Sequence, residues 1–121
     1  MNAIALLQAA FEDLHREVRA DIAEIDANLL WWQPAAGVNH AGFVAWHIVR
    51  DEDAVVSYLA KRPQIWVREG WHNRFGMDAE GQGTGLDADR LRTFRYDIAE
   101  LMQYAERVWA ATKPALAALR E

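Results

Sequence analysis

His47 and Asp51, one helical turn apart, are the pair in this sequence best suited to do chemistry. They lie in HAGFVAWHIVRDEDAVVSYLAK, where Phe43, Val44, Ala54, Val55, Tyr58 and Leu59 recur at helical spacing and mark an inward stripe. His47 follows Phe43 and Val44 by three or four residues, so the spacing places it in that stripe, with Asp51 on the same line. His40 lies one heptad earlier. An imidazole turned into a helical core can be a satisfied core histidine, hydrogen-bonded to a carbonyl or to Asp51. It can equally be a ligand to a divalent metal, with the carboxylate orienting it or adding a ligand. Spacing leaves both readings open, and one histidine is not a site, because zinc takes at least three protein ligands.

The remaining polar residues look less committed. Glu52 and Asp53 lie off the His47 line, so the run Asp51-Glu52-Asp53 reads as a partly solvated acidic turn. His15 sits beside the apolar stripe of the first helix and reads as a boundary residue. His72, after Trp71, reads as a surface residue, although a mobile connection could swing it over a site as base or ligand. There is no cysteine, which removes disulfides, zinc-thiolate sites and a thiol nucleophile; any sulfur chemistry needs an external thiol. No HExxH or GxSxG occurs, and the glycines at 76, 81, 83 and 85 do not make a phosphate loop.

Charge narrows the partners. Thirteen basic against eighteen acidic residues give a net charge of −5, which argues against nucleic acid. No apolar run reaches the ~18 residues of a membrane span, and the first residues lack a basic signal region, so a cytoplasmic protein is expected. Six tryptophans, at 31, 32, 46, 66, 71 and 109, read as core and interface packing.

Three long helices must position these residues within one domain spanning residues 1–121. Ile4, Leu7, Phe11, Leu14, Val18, Ile22, Ile25 and Leu29 predict a first helix from about Ala3 to about Asn28. Gln33-Pro34 and Gly37 break the chain, and Asn39 is the expected N-cap of a second helix from His40 to about Lys61, stopped by Pro63. Residues 64–86 predict a short helix or packed loop followed by a flexible glycine-rich half. Asp87 is the expected N-cap of a last helix, whose Leu91, Phe94, Ile98, Leu101, Ala105, Val108 and Thr112 form a seam, with a kink expected at Pro114. Nothing alternates like a strand. The expected class is an all-α, up-down helical bundle.

Several motifs, in order, resemble the DinB-like family of metal-binding four-helix bundles. They are Trp32-Gln33-Pro34, Gly37-Val38-Asn39, Trp46-His47, Arg50 with Glu52-Asp53, Gly70-Trp71, Phe75-Gly76, and Tyr104 with Val108-Trp109. The resemblance implies a bundle, often dimeric, that holds zinc, nickel or a similar divalent metal with three histidines. The second-helix ligand carries over to His47. The family's other two ligands usually lie one turn apart on a fourth helix, yet no histidine follows His72 and the sequence ends at Glu121. Either the member is shortened or a second chain completes the bundle. Some relatives look like transferases or isomerases that use the metal to activate a low-molecular-weight thiol, so a metal-dependent thiol transferase or hydrolase-like enzyme with a small-molecule substrate is one expectation. A non-catalytic homodimerisation or binding module is the other, because three amphipathic helices leave an apolar face to cover.

Overall fold

The computed structural model of the chain describes residues 2–81 and 83–119. Its long helices are α1 (Ala3–Glu24), α2 (Ala41–Leu59) and α6 (Ile98–Ala117), joined through the short α3 (Ile65–Arg68), α4 (Trp71–Phe75) and α5 (Ala88–Thr93). No strand occurs among the described residues, so the all-α expectation holds. No helix among them is long and apolar enough to cross a membrane.

α6 is the central rod, and both α1 and α2 pack against it. Leu101, Ala105 and Val108 from the seam expected on α6, joined by Tyr104 and Trp109, meet Phe43, Trp46 and Val49 on α2. Ile65, Trp66 and Trp71 from α3 and α4 close the core. Five of the six tryptophans are buried or half-buried, and Trp32 is exposed.

Four boundaries depart from expectation, each for a local reason. α1 stops at Glu24: Ile25 turns extended, and the Asp26 carboxylate then accepts the Asn28 N–H to start a turn. α2 begins at Ala41, and its N-cap is His40 rather than Asn39; the ring Nδ1 accepts the Phe43 N–H at 2.9 Å. The last helix is two. Phe94 ends α5 in an extended conformation, and Asp97 caps α6. Between them Phe94 and Tyr96 turn inward onto Trp31, and the Tyr96 hydroxyl donates to Gly42 O at 2.6 Å. Finally, the glycine-rich connection is tied to the core. Gly81 O accepts from the Arg50 guanidinium, and a β-carbon at Gly83 would enter the space of Phe43. A β-carbon at Gly42 would likewise fall inside the Trp31 ring, so α2 starts flush against that indole.

Candidate functional site

The polar residues of α2 divide between two faces. The buried face carries Phe43, Trp46, Val49, Arg50, Glu52, Asp53, Val56 and Ser57. The stripe expected from hydrophobicity is instead largely exposed: Val55 is 53% and Tyr58 81% accessible, with Val44 and Leu59 also exposed. Phe43 alone of that stripe is buried. The helix is therefore turned from its predicted orientation. The reason is that Arg50, Glu52 and Asp53 each find partners inside, so polarity does not mark the outer face here.

His47 follows this rotation. Its side chain is 33% exposed rather than enclosed, stacks on Phe43 with ring centroids 5.6 Å apart, and places Nε2 3.2 Å from Asp51 Oδ2. The two expected partners do meet, on the outer flank of α2. His40, expected nearby, is the deeply buried one; Nε2 donates to Leu91 O at 3.0 Å while Nδ1 caps the helix. That pair of bonds fixes the neutral Nε2–H tautomer, and burial holds its pKa below the usual histidine value. His72 rests against Trp66 O at 3.1 Å and ties α4 to α3.

Two inner clusters were not expected. In the first, Asp53 caps α3 from across the core. Its oxygens accept the Ile65 N–H at 2.9 Å, the Trp66 N–H at 2.8 Å, the Ser57 hydroxyl at 3.0 Å and the Tyr104 hydroxyl at 2.5 Å. Arg50, fully buried, lies 3.7 Å from Asp53, donates to Gln64 Oε1 and Gly81 O at 2.7 Å each, and covers the Trp66 ring. Burial beside Asp53 drives the Tyr104 pKa far up, so the phenol stays a donor.

In the second, α1, α2 and α6 each send one polar group to a common point. His15 Nε2 lies 2.9 and 2.7 Å from the two Glu52 oxygens, and the Thr112 hydroxyl donates to Glu52 Oε2 at 2.5 Å. His15 is stacked on Trp109 with centroids 4.8 Å apart. Burial raises the Glu52 pKa, against the opposing pull of Thr112 and His15. The one sequence signal for this cluster was the placing of polar residues beside or within otherwise apolar seams, His15 on α1 and Thr112 on α6.

On the side of α1 and α2 that α6 does not line, a groove of about 340 Å³ runs between them, walled by Val18, Ile22, Ile25, Val44, Ala45 and Ile48. Leu7 and Leu14 on α1 and Val55 and Leu59 on α2 add exposed apolar surface.

No family model matches the chain, and no curated protein does. Among solved structures, one described as the crystal structure of the conserved protein of locus from Enterococcus faecalis shares this fold, with a TM-score of 0.82 and 18% identity. The match covers 100% of this chain and 73% of that one. At that identity the likeness concerns the fold.

Proposed function

We propose that the chain works as a DinB-like metal-dependent bundle in which His47 supplies one ligand to a divalent ion such as zinc or nickel. Asp51 orients that imidazole, and a second copy of the chain covers the open face of α1 and α2 and contributes further ligands. The observation that carries this reading is the His47–Asp51 pair, 3.2 Å apart on the α2 face that also exposes Val44, Val55 and Tyr58. Any helix laid over that apolar surface arrives beside the imidazole. Imidazole and carboxylate are suitable zinc and nickel donors. They are two donors, however, and among the described residues no three His, Cys, Asp or Glu side chains gather at one point. The site is thus a half-site in one chain, and a thiol or hydrolytic reaction at it requires the covering element.

The test is zinc content per chain after dialysis, read together with sedimentation, for the natural protein and His47→Ala. The expected result is zinc-dependent dimers that lose their metal in the variant. Equal zinc in both proteins would remove His47 as a ligand, and a monomer with or without zinc would remove the second copy. The uncovered apolar face also supports a second reading, a non-catalytic dimerisation module. There His47→Ala dimers persist, while Val55→Ser with Tyr58→Ser dissociates them.

A further inference from the structure

Where the chain leaves α2 and α3 packs on α6, a small pocket of about 230 Å³ opens. Ile65, Ala110, Ala111 and Pro114 give it an apolar floor. Arg62, Arg68 and Arg107 supply the rest of its lining, and no acidic residue joins them among the described residues. In a chain of net charge −5 that gathering of one sign stands apart.

Elsewhere exposed arginines are answered by carboxylates: Arg16 by Asp13, Arg19 by Glu106 and Arg74 by Glu100. Arg62 and Arg68 have no side-chain hydrogen bond or ion pair among the described residues. Arg107 is partly committed. Its Nε and Nη2 donate to Glu69 at 3.0 and 2.7 Å, while its Nη1 makes no hydrogen bond among the described residues. The same guanidinium holds the Glu69 carboxyl below its usual pKa, so Glu69 is ionised and its charge counts. Three guanidinium charges against that one carboxylate leave an excess of two.

The backbone sets Arg62 in place at a cost. Lys61 is the one described residue other than glycine in the left-handed region, at φ 57°. A lysine pays for that conformation, and such strain gathers where a side chain must be aimed. The turn at Lys61 brings the Arg62 N–H back onto Ser57 O at 3.1 Å, and Arg62 then joins the wall of the pocket.

We infer that this pocket binds a small phosphate monoester, with its phosphoryl dianion on Arg62, Arg68 and Arg107 and its carbon chain on Ala110, Ala111 and Pro114. An excess of two positive charges matches a dianion. Guanidinium forks on three successive elements suit the three terminal oxygens of a phosphoryl group better than a planar carboxylate. The volume lies below that of sites for drug-sized molecules, which limits the ester to a short carbon chain. The site shares no residue with the His47 half-site and does not depend on metal or on dimer formation.

An NMR titration of the full chain with ethyl phosphate, near pH 7.5 and at about 150 mM salt to screen loose surface attraction, tests the inference. Saturable shifts are expected at the Ile65, Ala110 and Ala111 amides. Arg62→Gln with Arg68→Gln should weaken binding by about tenfold or more, through the loss of charge-assisted hydrogen bonds. Arg16→Gln with Arg90→Gln removes the same charge from exposed arginines outside the pocket and should bind like the natural protein. Succinate, a dianion without a phosphoryl group, and inorganic phosphate, which has no carbon chain, should both bind more weakly. Shifts that do not saturate, equal weakening in the two double variants, or succinate or inorganic phosphate matching ethyl phosphate would each overturn the proposal.

Discussion

The two faces of α2 invert the usual order. The inner face holds an arginine and two acids, while the outer one exposes a tyrosine and valines. The difference teaches that what a helix buries is set by whether partners are waiting, not by hydropathy alone. Arg50 and Asp53 are affordable inside because backbone donors, hydroxyls and a carbonyl meet them. Val55 and Tyr58 meet nothing comparable among the described residues.

Breaking the inner face should have the largest effect. Asp53→Ala strips α3 of its cap, leaves the Tyr104 hydroxyl without its carboxylate and strands Arg50, a loss of about 3–5 kcal/mol for one partner of a buried pair. Urea unfolding measures it. A loss under about 1 kcal/mol would mean that Arg50 and Asp53 are not a structural unit.

Next comes the N-cap. His40 must stay neutral to accept the Phe43 N–H, and its folded pKa lies below the unfolded one. A depressed histidine contributes stability that is present above the unfolded value and lost as pH falls toward the folded value. His40→Asn keeps a capping acceptor without a titrating ring. The natural protein should therefore lose stability relative to His40→Asn between neutral pH and about pH 5, and parallel curves would contradict the assigned tautomer.

The outer face should answer most weakly. Val55→Ser and Tyr58→Ser should each move the stability of the isolated chain by no more than about 0.5 kcal/mol. A loss of several kcal/mol at a concentration where the chain is monomeric would show that this face is already covered within one chain.

The fold class was legible because Leu101, Ala105, Val108 and their neighbours repeat every three or four residues, and repetition of that kind has one physical outcome. Chain breaks at Pro34, Gly37 and Pro63 and the cap at Asp87 were legible for the same reason: each restricts the backbone locally. In the candidate site, the neighbourhood of His47 and Asp51 was legible but its orientation was not. His47 and Asp51 were matched correctly, since a four-residue spacing fixes them. Their facing was not, because it depends on Arg50, Glu52 and Asp53 finding partners 12 to 60 residues away. His15 passed for a boundary residue because its partners lie on two other helices. The split between α5 and α6 was hidden too: Phe94 fits a helical seam by spacing, and it is the aromatic nest around Trp31 that pulls it out.

The absence of a side chain at Gly42 has a consequence for how the protein can change over time. The indole of Trp31 occupies the volume where any larger residue at 42 would begin. Positions 31 and 42 are therefore a lock and its keyhole: descendants that enlarge one must shrink the other, and a lineage that trades the tryptophan for something slight gains the freedom to drop glycine from the start of the helix.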